Sequence, residues 1–323
     1  MFSPIFKITN KTLFNLIEVE VAGKVVQLAP LQSDWETRLK QESVVRRIFS
    51  LARFSANGLG IDDVAKIVKD EPGRDDKAHN VAMRVGVVGK EKDIQQILNM
   101  LNVNRLVEQL AFLAGKFHQG DMGEKELSQI NALLSERLVL PNEMGRLRGT
   151  GVEGSTSVTP LAVEVPFQIE DLFGWFRNAN KNEIHPINKA GVMFYELLRI
   201  CPYSENNLLT AIDFYQLVLA SEGYGLKKIW SIEEEILKNA DNFTQAVSSV
   251  ERNGGELTIW LEFLSKCLSQ SAEKAQTKVM NLVGDAPIFN LRDLKDLIDK
   301  KLIRKKGKTK GALYVMGKTR SYR

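Results

Sequence analysis

The sequence predicts a mainly α fold, and three features carry that expectation. Apolar residues recur at helical spacing through most of the chain. Two consecutive segments, 187–200 and 208–219, are apolar around most of their circumference, the pattern of helices buried on all sides. β-Branched runs without helical period are confined to 141–166 and the C-terminal end.

Taken in order, residues 33–58 open on Ser33 with Glu36 three positions later, a capping-box spacing. Val44, Val45, Ile48, Phe49 and Ala52 keep helical period until Asn57-Gly58. A short helix follows in "GIDDVAKIVKDE", then a loop in "EPGRDDKAHN", then one or two helices in residues 90–120 and another in "GEKELSQINALLSERLV". The stretch "PNEMGRLRGTGVEGSTSVTPLAVEVP" is rich in Gly and Pro and predicts an irregular connection with a small hairpin. Helices resume with "IEDLFGWFRNA" and "HPINKAGVMFYELLRI", and "NNLLTAIDFYQLVLASEG" and two more follow. At the end, a helix over 291–301, two short apolar strands and a Gly-Lys loop between them form the pattern of the latter half of a winged helix.

Composition excludes several classes. The chain has 323 residues, 44% apolar and 26% charged, within the range of a globular protein. No run approaches the roughly 20 apolar residues that a spanning helix needs, so no membrane partner is expected. The N-terminal residues lack the pattern of a signal peptide, and Cys201 and Cys267 make no disulfide framework; a cytoplasmic location is the expectation. The overall charge of +4 is unevenly spread. Residues 300–323 hold ten Lys or Arg and no acid, leaving a net of −6 on the rest. A basic tail on an acidic body is either a solvated, solubilising tail or a site for a polyanion such as DNA, with Lys300, Lys301, Arg304, Lys305, Lys306, Lys308 and Lys310 as the phosphate contacts.

Sequence motifs for catalysis are sparse. His79, His118 and His185 are scattered, and no HExxH, phosphate-binding P-loop or GxGxxG pattern occurs. His185 precedes Pro186 at a helix start and reads as structural. What remains is "CPYSENN", residues 201–207, a polar turn between the two most apolar helices. Glu205 and Asn207 there serve either as a metal and ligand site or as caps of the following helix. Cys201 reads more readily as a buried inert thiol than as a nucleophile.

The stretch from 167 to 225 resembles the Fic (Fido) family of nucleotidyltransferases, whose motif is H-P-F-x-[D/E]-G-N-[G/K]-R-x-x-R. In register, Cys201 stands at the motif histidine, Pro202 and Tyr203 at Pro-Phe, Glu205 at the acid, Asn206 at the first glycine and Asn207 at the asparagine. Leu208, Leu209 and Ile212 stand at the second glycine and the two arginines. Residues 147–166 are similar to the family's flap hairpin. Residues 46–61 are similar to the N-terminal helix carrying the inhibitory pattern [S/T]-x-x-x-E-[G/N], in which Ser55 and Gly60 match and Leu59 replaces the glutamate.

The resemblance implies a helical fold and AMP transfer from ATP to a protein hydroxyl, with Mg²⁺ on the acid and phosphates on the Gly-Asn-Gly loop and the arginines. It also implies a homodimer or protein partner, and three parts: an N-terminal helical extension over 1–120, a Fic-like core with a β-hairpin flap over 121–275, and a winged-helix-like piece over 281–323. The departures weigh against the reaction. A thiol is a poor base at neutral pH without activation, and Leu209 and Ile212 carry no charge for a polyphosphate. The expectation is therefore a regulatory or binding module with no cofactor; ATP and Mg²⁺ enter only if family activity survives. An apolar Leu59–Ile212 contact is expected where the family has an ion pair.

Overall fold

The computed structural model describes residues 2–117, 122–152, 156, 158–179, 183–284, 303–306 and 313–316. These residues form helices α1 (Asn10–Leu28), α2 (Ser33–Phe54), α3 (Ile61–Lys69), α4 (Ala78–Val85), α5 (Glu91–Phe117) and α6 (Glu124–Ser135). After the Gly- and Pro-rich connection come α7 (Val165–Asn178), α8 (Pro186–Ile200), α9 (Asn207–Ser221), α10 (Ile232–Lys238), α11 (Ala240–Arg252) and α12 (Thr258–Gly284). The fold is mainly α, as the periodicity predicts.

The core is built around α8 and α9. Val192, Phe194, Leu198, Phe214 and Leu217 are fully buried, because neither helix has a polar face to turn to water. Helices α5 and α6 cover α9, while α7 and α12 cover α8. His185 caps α8, its Nδ1 accepting from the Ile187 N–H at 3.3 Å, and Pro186 occupies the first helical position. Helix α12 approaches α8 closely at Gly191, whose carbonyl accepts from the Trp260 indole N–H at 2.8 Å. Trp260 in turn stacks edge-on against Phe194, with ring centroids 5.2 Å apart.

Helix α1 has no counterpart in the sequence reading. Its apolar residues are spread around the helix, so no stripe marks it. It is ordered by α12, against which it runs parallel: Thr9 donates to Glu262, Asn15 to Ser265, and Ser269 to Glu18. Thr9 also caps it, accepting from the Thr12 N–H.

Other details differ from expectation. Gln32 is the N-cap of α2, with no side-chain cap bond, and Ser33 is already inside the helix. The Glu36 carboxylate bonds Lys40 instead of closing a capping box. Among the described residues of 141–166 there is no strand; turns and one 3-10 turn at Ala162–Glu164 lead into α7 at Val165, and the rest of the proposed flap lies outside the described residues. At the C-terminal end, β1 (Ile303–Lys306) pairs antiparallel with β2 (Leu313–Met316), Ile303 opposite Met316 and Lys306 opposite Leu313. The helix expected over 291–301 lies outside the described residues, so the winged-helix assignment stays an expectation.

The approach at Gly191 yields a prediction. A Cβ added there would sit 2.7 Å from Leu261 Cδ2 and 3.3 Å from Leu264 Cδ1. Gly191→Val should overpack the α8–α12 contact and cost about 1–3 kcal/mol, read as a lower urea midpoint at unchanged m-value.

Candidate functional site

The loop between α8 and α9 lies at the mouth of the core, bracketed by two residues with left-handed backbone. Cys201 ends α8 at φ 46°, ψ 64°, and Asn206 precedes α9 at φ 62°, ψ 23°. Asparagine tolerates this region better than most residues, so Asn206 keeps a backbone form that glycine would otherwise supply. Its Nδ2 donates to Ser135 Oγ at 3.0 Å, and its carbonyl accepts from the Thr210 N–H at 2.9 Å and from the Thr210 hydroxyl at 2.8 Å.

The loop's own polar groups are spent on its shape. Asn207 clasps Tyr203 twice: Oδ1 accepts from the Tyr203 N–H at 2.9 Å and Nδ2 donates to the Tyr203 carbonyl at 2.7 Å. Neither Asn206 nor Asn207 makes the usual side-chain cap. Cys201 is buried and its Sγ lies 3.1 Å from the Leu198 carbonyl. Leu209 and Ile212 are buried in the core. Glu205 alone points outward; its carboxylate is exposed and makes no hydrogen bond or ion pair among the described residues, while its carbonyl accepts from Asn131 Nδ2 at 3.0 Å.

Two residues outside the loop hold it. Asn131 on α6 also donates to Thr210 Oγ1 and accepts from the Gly145 N–H, tying α6, α9 and the connection to one point. Arg148, buried, donates from Nε to the Cys201 carbonyl at 2.7 Å and from its terminal nitrogens to the carbonyls of Ile200, Thr150 and Pro160. Its backbone N–H donates to the Pro202 carbonyl at 2.9 Å. A guanidinium presents five donors, and four hydrogen bonds from this one fasten the Gly- and Pro-rich connection onto the loop. Nothing in "GRLRGTG" separates Arg148 from Arg146 by sequence.

The positions of the proposed inhibitory pattern lie apart from this loop's hydrogen bonds. Ser55 is the C-cap of α2, Gly60 the N-cap of α3, and Leu59 between them is buried. Leu59 Cδ2 packs against Gly89 on the α4–α5 connection. Arg47 on α2 reaches α9. Its Nη2 bonds Asp213, the residue after Ile212; its Nε donates to Glu233 Oε1 at 2.9 Å and its Nη1 to Asn104 Oδ1 at 2.7 Å. Gln216 and Ser231 complete the coordination of Glu233 at 3.0 Å each. Arg47, Asp213, Glu233, Gln216 and Ser231 are buried, and Asn104 is half-buried.

One guanidinium here faces two carboxylates. Burial opposes the charge on Arg47, but Asp213 and Glu233 outweigh it and hold Arg47 above the ordinary arginine range. Burial pushes the Asp213 carboxyl up to about 6, against the pull of Arg47 and with the help of Glu233; its Oδ2 has no partner among the described residues. Asp213 was legible in principle: it is the one charged residue in α9, and a lone charge in an apolar helix demands a buried partner. Of the basic tail, Arg304, Lys305 and Lys306 lie on β1, opposite Val315, Tyr314 and Leu313. Lys300, Lys301, Lys308 and Lys310 lie outside the described residues.

A helix pair enclosing a clasped loop, with the chain's helices arranged as above, has known counterparts. Residues 121–219 match the Fic/DOC family. The Fic/DOC match takes in α6 to α9 and therefore the loop, Asn131 and Arg148. The chain is similar to a protein adenylyltransferase Fic of Nematostella vectensis, 24% identical over 163 residues, covering 50% of this chain and 35% of that protein. It is similar to protein adenylyltransferase fic-1 of Caenorhabditis elegans, 25% identical over 195 residues, with 58% and 34% covered. The matches thus span about a third of the length of these curated relatives. Among solved structures, a Fic family protein from Desulfovibrio desulfuricans G20 shares the fold over 100% of both chains, with a TM-score of 0.67 at 18% identity.

The cluster behind the loop gives a pH prediction. A carboxyl whose folded pKa lies above its unfolded value of 3.8 contributes stability that is full below that value and lost as pH rises through about 6. Relative to Asp213→Asn, the wild-type chain should therefore lose roughly 1 kcal/mol of stability between about pH 5 and pH 7, measured as the difference between their urea unfolding free energies at the two pH values.

Proposed function

We propose that this chain is a Fic-family protein whose α8–α9 loop no longer supports AMP transfer and that it works as a regulatory or binding module. The clasp of Asn207 on Tyr203 carries this reading, because both polar ends of that side chain are committed to the loop backbone. Three further observations support it. The thiol of Cys201 is buried, Leu209 and Ile212 have joined the core, and Arg148 spends its N–H groups on carbonyls. A triphosphate needs charge and free N–H donors at its binding loop, and these residues do not supply them. The loop therefore does not fit Mg-ATP.

The basic residues of the C-terminal end supply the reading's partner, DNA, through phosphate contacts in the register of β1 and its neighbours. A second reading rests on Glu205, whose carboxylate is exposed and uncommitted: a nucleotide-binding enzyme of altered chemistry, in line with relatives named as protein adenylyltransferases. Homodimerisation or a protein partner is compatible with either. No helix among the described residues is long and apolar enough to cross a membrane.

Two measurements separate the readings. Saturating Mg-ATP at about a hundred times its dissociation constant would stabilise a binding protein by roughly 2.7 kcal/mol; the expected thermal shift here is nil, and a shift of that size abolished by Glu205→Gln would establish the second reading. A labelled mixed-sequence DNA duplex should bind with a steep salt dependence, and deletion of 300–323 should remove that binding. Equal binding by the truncated chain would exclude the tail as the DNA contact.

A further inference from the structure

A well-formed cavity lies away from the α8–α9 loop. It opens between α1, α2, α5 and the C-terminal end of α9, with a volume of about 480 Å³. Gln216 lines it, nine residues into α9 from Asn207, which places it roughly 13 Å along the helix from the loop. The volume falls in the range of small-molecule sites, about 300–1,000 Å³.

Its walls are mainly apolar. Val19 comes from α1, Val44 from α2, Val107 and Ala111 from α5, and Trp230 closes one side. Arg47 and Gln216 contribute polar atoms, but both are engaged by Glu233 and so form a fixed rather than a free polar surface. The Trp230 indole N–H makes no hydrogen bond among the described residues, although the ring is buried except for 7% of its surface.

The mouth is charged and unbalanced. Its two carboxylates each have a donor: Glu20 accepts from the Tyr224 hydroxyl at 2.5 Å, and Glu108 pairs with Lys228 at 2.6 Å. Neither of the remaining two lysines makes an ion pair among the described residues, although Lys40 and Lys227 together hold the nearby Glu36 carboxyl below its usual range. Lys227 Nζ donates to the Ala29 carbonyl at 3.2 Å, and Lys24 is exposed without a bond. Lys227 and Lys228 are also consecutive residues in the left-handed region, at φ 50° and φ 62°. Such backbone is unfavourable for non-glycine residues, and here it sets both ammonium-bearing residues on the cavity margin.

We propose that this cavity binds a small aromatic monoanion, its flat apolar body beside Trp230 and between the Val44 and Val107 walls, its negative group at Lys24 and Lys227. The apolar lining excludes a sugar or a free polyphosphate, which would leave hydroxyls or several charges unpaired. The excess of lysine at the mouth disfavours a cation. A planar body suits a cleft walled by an indole and branched aliphatic side chains, since aromatic faces pack in offset or edge-on contact. The site is separate from the Fic/DOC loop and rests on none of its chemistry.

The test uses the full chain and two probes of one shape, 2-naphthoate and the neutral 2-naphthamide, followed by tryptophan fluorescence and calorimetry. Saturable one-to-one binding of 2-naphthoate, with a fluorescence change absent in Trp230→Phe, is expected. The double variant Lys24→Glu/Lys227→Glu should weaken 2-naphthoate by about tenfold and leave 2-naphthamide unchanged. Ala111→Trp, whose side chain enters the cavity, should abolish both; its unfolding midpoint shows whether the chain stays folded, and Val44→Phe repeats the test from the opposite wall. No saturable binding of 2-naphthoate by the wild-type chain would overturn the proposal. So would undiminished binding in folded Ala111→Trp and Val44→Phe, or an unchanged preference for the anion in the double lysine variant.

Discussion

The structure depends on the burial of α8 and α9. Neither helix has a face that water could solvate cheaply, so both must be enclosed, and the other helices are arranged to do it. Full burial of a Leu, Ile or Phe side chain is worth roughly 1.5–3 kcal/mol, and these two helices contain many such residues. Enclosure has a geometric consequence. The turn that joins two buried antiparallel neighbours must surface at one end of the core, and every backbone group within it needs a partner.

That requirement explains why the loop is so fully bonded. Asn207 closes it on itself, Asn131 and Ser135 hold it from α6, and Arg148 gathers the carbonyls that α8 leaves open at its end. A helix terminus exposes unsatisfied carbonyls, and a buried guanidinium is well suited to several of them at once. The groups that fix the loop's shape are therefore the groups that a ligand would otherwise use. Glu205, turned to solvent, is the exception.

The buried charges obey a related constraint. Asp213 lies inside an apolar helix and could not remain there without Arg47, while Arg47 requires Glu233 as well. Removing one member of such a cluster leaves an uncompensated charge, which is why buried ion pairs specify an arrangement more clearly than they stabilise it. Here the arrangement fixes α2 and α10 against α9. The polar cluster also forms part of the lining of the cavity between α1, α2 and α5, so the packing of the core and the shape of that cavity share residues.

The sequence by itself determined the helical class, the positions of α2, α3 and α5 to α9 within a few residues, and the location of a polar turn between two buried helices, while α4 begins inside a stretch that reads as a loop. It could do so because helical period and the absence of a polar face are local properties of the chain. It also placed Cys201, Leu209 and Ile212 among residues unfit for phosphate chemistry, since charge and hydrogen-bonding capacity belong to the side chain itself. Only the tertiary structure decided the order of α1, which depends on α12 some 250 positions away through contacts such as Asn15–Ser265. It alone showed which of the arginines in the Gly-rich stretch seizes the loop, and that Arg47 meets α9 beside Ile212. Each of these is a pairing between segments distant in sequence, and no local pattern records which partner a buried donor will find.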